Sequence, residues 1–296
     1  MASPELETLI RFLRQVQGQN DAPDPEKLRA GLEQMAAMIP ADADISVKAE
    51  SAGGVAAEWA DAPGGATDRF LVYFHGGGYA GGSPQTHRDI IARLARATRR
   101  RVLGVDYRLA PENPFPAAVE DAVTACRWLL NEFGAPPERV AVAGDSAGGG
   151  LTLAMLVKLR DEGARLPAAA VCMSPWTDLA VTGDSVRKRA EIDPFLTPAG
   201  LRHFSDLYRQ GADPASPLVS PLYADLSGLP PMLLQVGERE CLLDDSVRLA
   251  EKARAAGVDV TLEIWDGMVH VFQGFAAVLP EGADAIRRVG DYLNDF

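Results

Sequence analysis

Short apolar runs recur along this chain, each bounded by turn-forming residues. They lie at 70–74, 102–105, 140–143, 168–173, 232–236 and 260–265. Continuous apolar character over so few residues predicts strands buried on both faces, as in a parallel sheet. Two earlier segments, 45–50 and 55–59, read as a pair of short strands around Ala52-Gly53-Gly54. Between the runs the apolar residues fall at helical spacing, which predicts helices over 86–98, 117–133, 147–162, 245–256 and 283–293. An antiparallel pair followed by strand–helix alternation predicts an α/β fold with a mostly parallel, doubly wound, eight-stranded sheet flanked by helices.

Two regions fall outside that alternation. The first, 1–44, carries apolar stripes at Leu6, Leu9, Ile10 and Leu13 and at Leu28, Leu32, Met35 and Met38, separated by the turn-like 21–25. Both stripes predict covering helices. The second, 176–226, is too long for a loop between strands. It holds Pro194, Pro198, Pro214, Pro217 and Pro221, with a short helix expected within 198–209. The expected division is therefore N-terminal cap helices at 1–44, a core at 45–175 and 227–296, and a cap insertion at 176–226.

Composition narrows the partners. The chain has 296 residues, which suits one large α/β domain,. Its formal net charge is −12 and its pI about 4.8. An acidic surface repels phosphate backbones and anionic membranes, so nucleic acid is not an expected partner and a neutral small molecule is. No apolar run approaches the ~18 residues of a membrane span, so no membrane insertion is expected. Cys126, Cys172 and Cys241 are odd in number and widely spaced. That pattern fits buried thiols in a reducing compartment, and with no signal-peptide core in the first twenty residues the expected location is cytoplasmic. Neither a metal-ligand cluster nor an HExxH pattern occurs, and neither metal nor cofactor is expected.

The candidate chemistry begins at Gly144-Asp145-Ser146-Ala147-Gly148, a G-x-S-x-G sequence. A predicted strand runs into it and an apolar helix leaves it. A sharp strand-to-helix turn lifts a serine Oγ above the sheet edge, and the helix N-terminus places positive potential beside developing negative charge. Ser146 is thus the candidate nucleophile. Asp145 either hydrogen-bonds around the turn or is an ordinary solvated or paired carboxylate.

His75-Gly76-Gly77-Gly78 follows the strand 70–74. Glycines there let backbone N–H groups point into a site where a Cβ would block the acyl oxygen. Gly76, Gly77 and Ala147 are the expected oxyanion donors. The same stretch contains Gly76, Gly78 and Gly81 in G-x-G-x-x-G spacing, with Asp106 where a ribose-binding acid would stand. A dinucleotide fingerprint, however, needs its third glycine at the helix start. Here Gly82, Ser83 and Pro84 intervene, and Ser146 would be left without purpose.

A serine nucleophile needs a general base. The histidines are His75, His87, His203 and His270. For an elbow of this kind the acid and then the histidine follow the serine along the chain. His270, after the last strand, is the candidate base. The acid should follow the strand 232–236, where Glu238, Glu240, Asp244 and Asp245 lie. Glu240 sits in the loop, free to reach a histidine; Asp244 is the second candidate, although it and Asp245 adjoin a helix start and read equally as caps.

Taken together, His75-Gly76-Gly77-Gly78-Tyr79, the segment Asp106-Tyr107-Arg108-Leu109-Ala110-Pro111-Glu112 and Gly144-Asp145-Ser146-Ala147-Gly148-Gly149 resemble the hormone-sensitive-lipase-like branch of the α/β hydrolases, the bacterial family IV esterases. The likeness covers nearly the whole chain. It departs at the acid, where the family's Asp-Pro-Leu is matched by Glu240-Cys241-Leu242, which implies glutamate in place of aspartate. The resemblance implies an α/β-hydrolase fold with a helical cap. It further implies a serine carboxylesterase acting through Ser146, His270 and Glu240 on short- to medium-chain acyl esters or lactones. An amidase or formamidase with the same triad is the alternative. A ligand-binding receptor on this fold lacks the catalytic histidine, whereas His270 is present. The resemblance also implies a homodimer through the edge of 260–265.

Overall fold

The apolar runs do form strands, and burial explains why. The structure, a computed structural model, describes residues 3–17, 24–39 and 42–296. Its eight strands are β1 (Ser46–Ala52), β2 (Val55–Asp61), β3 (Phe70–Phe74), β4 (Arg101–Val105), β5 (Val140–Asp145), β6 (Ala169–Met173), β7 (Met232–Gly237) and β8 (Val260–Trp265). They form one sheet in the order β1-β2-β4-β3-β5-β6-β7-β8, with only β2 running against the others. Every residue of β3, β5, β6 and β7 is buried. The outer strands β1 and β8 are partly exposed, as edges must be.

The helices are α1 (Pro4–Gln17), α2 (Pro25–Ala37), α3 (Arg88–Thr98), α4 (Ala117–Arg127), α5 (Ala147–Asp161), α6 (Asp184–Lys188), α7 (Pro198–Arg209), α8 (Leu243–Ala255) and α9 (Pro280–Leu293). Helices α4, α5 and α8 cover one face of the sheet, and α3 and α9 the other. Among the described residues, no helix is long and apolar enough to cross a membrane.

Several expected boundaries shift for local reasons. α3 opens at Arg88 because Ser83 and Thr86 bond reciprocally in a turn before it, Thr86 N–H donating to Ser83 Oγ at 3.1 Å. α4 passes at Trp128 into a π-helical turn over Trp128–Glu132. α8 opens at Leu243, so Asp244 and Asp245 lie within its first turn,. α9 starts at Pro280, where the missing N–H of proline costs nothing,. The span 176–226 holds α7 as expected, and also α6. Most of the turn expected at 21–25 lies outside the described residues.

Two contacts set the N-terminal helices above the C-terminal ends of the strands. Leu6, Leu9, Ile10 and Leu13 of α1 are buried against Met268, Val269, Phe272 and Leu279, the segment that follows β8. Arg29 of α2 reaches down to the carbonyls of Ala80 at 2.9 Å and Ala110 at 3.0 Å and pairs with Glu112 at 2.7 Å. α2 is thereby held over the loop after β3.

Candidate active site

The turn at Ser146 is built by close backbone approach. Ser146 has φ 51° and ψ −120°, between the end of β5 and the start of α5. A Cβ at Gly144 would lie 2.3 Å from the Gly148 carbonyl oxygen, and one at Gly148 would lie 2.0 Å from that of Phe74. Only glycine permits this turn against β3. The Ser146 N–H donates to Met173 O at 2.9 Å, which ties the turn to the neighbouring strand.

His270 reaches the serine from the segment after β8. Its Nε2 lies 2.9 Å from Ser146 Oγ and its Nδ1 lies 2.8 Å from Glu240 Oε2. Glu240 is fully buried, and its other oxygen accepts from Ser174 Oγ at 2.7 Å and from the Gly237 N–H at 2.5 Å. The sequence expectation for all three residues therefore meets in one hydrogen-bonded line. Asp244 stands elsewhere: its Oδ2 accepts the Ser185 N–H at 2.8 Å and fastens α6 to α8. Burial raises the pKa of Glu240, opposed by its bonds to His270, Ser174 and Gly237,. For His270 burial works to lower the pKa, but Glu240 and then the charges of Asp193 and Asp145 outweigh it, and the net shift is upward,.

Ser174 carries no motif and sequence reasoning missed it. It follows β6 at φ 48°, donates to Glu240 and accepts the Val271 N–H at 3.1 Å, so it joins the acid to the segment bearing His270. The one available signal was its place just beyond the C-terminal end of a buried parallel strand, where open α/β sheets gather their site residues.

The glycine triplet requires a correction. The Gly76 N–H donates to Asp145 Oδ1 at 3.0 Å, and a Cβ there would lie 2.2 Å from Asp145 Oδ2. Gly76 is committed to the fold and has no N–H free for an oxyanion. Gly77 and Gly78 instead line the cavity beside Ser146. Among the described residues, their N–H groups meet no acceptor. Ala147 opens α5, where a helix leaves its first N–H groups without internal partners,.

Asp145 is thus neither solvated nor idle. It is buried, accepts from the Tyr73 hydroxyl as well as Gly76, and lies 3.5 Å from His87 Nε2. Burial favours its neutral form, yet His87 and Tyr73 outweigh burial and hold the carboxyl below its ordinary value,. His75 is pushed down to about 3 by burial and by its neighbour His87, so it stays neutral. Its ring stacks on Tyr107 at 4.2 Å and its Nδ1 meets Gly76 O at 2.8 Å, which braces the glycine loop. The glycine spacing that mimics a nucleotide fingerprint leads into the Ser83–Thr86 turn and not into a helix.

Ser146 and His270 open on a cavity of about 720 Å³. Its walls are mainly apolar, with Leu9 and Phe12 from α1, Leu32 and Met35 from α2, and Phe195 and Phe204 from 176–226, while Glu5, Asp89 and Asp145 also reach it. Neither lysine nor arginine occurs among its described lining residues.

Comparison with known proteins identifies the family. Residues 71–274 match the family model for the alpha/beta hydrolase fold. The chain belongs to the α/β hydrolases. It is 47% identical, over 99% of its length and 97% of the relative's, to an acetyl-hydrolase of Streptomyces hygroscopicus. It is 36% identical to an esterase of Acinetobacter venetianus over 92% of this chain and 89% of that one. A crystal structure of an esterase from the bacterial hormone-sensitive lipase family superposes with a TM-score of 0.96 at 49% identity, covering 100% of this chain and 99% of that one. A hormone-sensitive lipase from a metagenome library gives 0.94 at 39% identity, covering 100% and 99%. This α/β hydrolase is accordingly a carboxylic ester hydrolase of the hormone-sensitive-lipase-like branch.

Proposed function

We propose that this esterase cleaves neutral esters of short to medium acyl chains, or lactones, through a Ser146–His270–Glu240 triad and an acyl-enzyme. What carries the reading is the unbroken line from Glu240 Oε2 to His270 Nδ1 at 2.8 Å and from His270 Nε2 to Ser146 Oγ at 2.9 Å, ending in the apolar cavity. Its volume falls within the range of about 300–1,000 Å³ typical of small-molecule sites.

In this mechanism His270 takes the Ser146 proton as Oγ attacks the ester carbonyl. Glu240 fixes the histidine tautomer and stabilises the imidazolium. The developing oxyanion is held by the N–H groups of Gly77, Gly78 and Ala147, each worth about 3 kcal/mol in such a site. His270 then protonates the departing alcohol, and a water activated by the same imidazole releases the acid and restores Ser146. Residues 1–44 and 176–226 act as the cap over a core of 45–175 and 227–296. The mainly apolar lining, which holds carboxylates but neither lysine nor arginine among its described residues, disfavours anionic substrates and suits neutral esters,. A second copy pairing along the open edge of β8 belongs to the same reading.

A panel of p-nitrophenyl esters from C2 to C12 with two lactones tests the proposal. Turnover should peak among the shorter chains and vanish in Ser146→Ala with the fold intact by circular dichroism. Wild-type turnover by Ser146→Ala would remove the nucleophile from the scheme.

A further inference from the structure

A second buried carboxylate stands between the substrate cavity and the triad acid. Asp193, in the segment linking α6 to α7, is 4% exposed. Its Oδ2 accepts the Cys241 N–H at 2.8 Å, and its Oδ1 accepts the N–H groups of Phe195 at 2.9 Å and Leu196 at 3.0 Å. Cys241 directly follows Glu240. Phe195 and Leu196 line the cavity with Ser146 and His270, and the Phe195 ring lies 5.8 Å from the His270 ring. One side chain therefore joins the cavity wall to the backbone beside the acid.

We propose that Asp193 is a positioning residue for ester hydrolysis, locking the cavity wall to the Glu240 loop and setting a second negative charge before His270. This rests on the triad reading above. The departure at position 241 supplies a reason particular to this chain. An Asp-Pro-Leu segment has proline there, and proline has no N–H to give. Cys241 provides the donor that Asp193 takes. Preorganised groups of this kind hold a site within the fraction of an ångström that catalysis needs.

The charge has a separate signature. The titratable groups facing His270 are Glu240 and Asp193, with Asp145 beyond Ser146. The Cys241 thiol beside Asp193 is held neutral, its pKa raised by burial and by that carboxylate. Arg189, whose carbonyl accepts the Asp193 N–H at 2.8 Å, turns its guanidinium to Glu238 at 3.6 Å. Burial raises the pKa of Asp193 itself, opposed by His270 and by the three backbone N–H groups of Cys241, Leu196 and Phe195, which bond its charged form, and no cation cancels it among these neighbours,. A negative charge near an imidazole raises its pKa, so removing that charge lowers it.

Asp193→Asn tests both roles on the full-length enzyme. An asparagine must set its NH2 against one of the backbone donors that Asp193 accepts. The kcat for p-nitrophenyl butyrate should fall at least about tenfold, and the acid limb of kcat/KM should move down by about half a pH unit. A fall in kcat with the limb unmoved reduces Asp193 to a structural tie and overturns the proposal, as does wild-type behaviour. If Asp193→Asn does not fold, Asp193→Glu keeps the charge and displaces the Cys241 contact. Its kcat should fall with the limb in place; a wild-type kcat or a moved limb overturns the proposal. Inactive Ser146→Ala beside wild-type-like Asp193→Asn sinks this inference alone, whereas active Ser146→Ala sinks the triad itself.

Discussion

Replacing Glu240 by glutamine should silence the enzyme by inverting a tautomer. Glu240 Oε1 accepts from the Gly237 N–H, a backbone donor that cannot turn away, and from Ser174 Oγ. A glutamine at 240 must keep its oxygen on that side, because an NH2 there would face a fixed N–H. Its NH2 then points at His270 Nδ1, 2.8 Å away in the native arrangement. Nδ1 must accept, so the proton moves to Nε2, the atom that has to receive the Ser146 proton. The imidazolium formed during attack also loses its direct carboxylate partner. A comparable wrong-tautomer substitution in a serine protease lowers kcat about ten-thousand-fold, which is roughly 5.5 kcal/mol of barrier. Glutamine is preferred to alanine because it leaves neither Gly237 nor Ser174 unpaired. The assay is kcat for p-nitrophenyl butyrate per active site. Asp244→Asn is the control: its amide oxygen can still accept the Ser185 N–H, and kcat should stay within about threefold, since a half-buried contact that does not involve His270 acts on stability and not on chemistry,. A Glu240→Gln enzyme keeping more than about a tenth of wild-type kcat would refute the argument, and an equal loss in Asp244→Asn would transfer the role.

Two further outcomes depend on pH. His270 must be neutral to act as base, and its pKa is raised because Glu240 and the carboxylates behind it outweigh burial. The acid limb of kcat/KM, which reports the free enzyme, should therefore have its midpoint above the ordinary histidine value of about 6.5; a midpoint below pH 6 contradicts the assignment. Asp245 is a separate case. Burial, and then the charge of Asp178, raise its pKa to about 8, although it accepts the N–H groups of Thr177 at 2.7 Å and Asp178 at 2.8 Å. The folded state then holds a proton that the unfolded state has already lost above about pH 4. Stability is greatest at the acid end of that window and declines as pH rises to about 8, by up to about 3 kcal/mol between pH 6 and 8. Urea unfolding at pH 6 and pH 9 should show this decline in the wild type and much less of it in Asp245→Asn; an unchanged decline in the variant removes Asp245 as its source.

Local signals carried most of the fold. Apolar runs such as 70–74 and 140–143 can only be strands that need covering on both sides, and the amphipathic stretches between them supply the cover. The turn at Ser146 was also legible, because Gly144 and Gly148 announce an approach that no Cβ survives. His270 could be placed because few histidines exist and one follows the last strand. Glu240, the carboxylate that meets His270, was separable from Asp244 by its position in a loop and not at a helix start. Small elements were less visible. The five residues of α6 are too few to display a period, and a π turn in α4 leaves no mark in the apolar pattern.

What the linear order withheld was partnership across distance. The glycine triplet says that backbone N–H groups are near the surface of a site, but not which of them is already taken. Asp145, from another strand, takes Gly76 and leaves Gly77 and Gly78. Ser174 and Asp193 look like any serine after a strand and any aspartate before a proline. Their bonds form because β6, β7 and the 176–226 segment converge around Glu240 and Cys241, and a buried carboxylate must find donors wherever the folded chain brings them. Periodicity and steric necessity are written residue by residue, whereas hydrogen-bond satisfaction in a dry interior is settled only when distant segments meet.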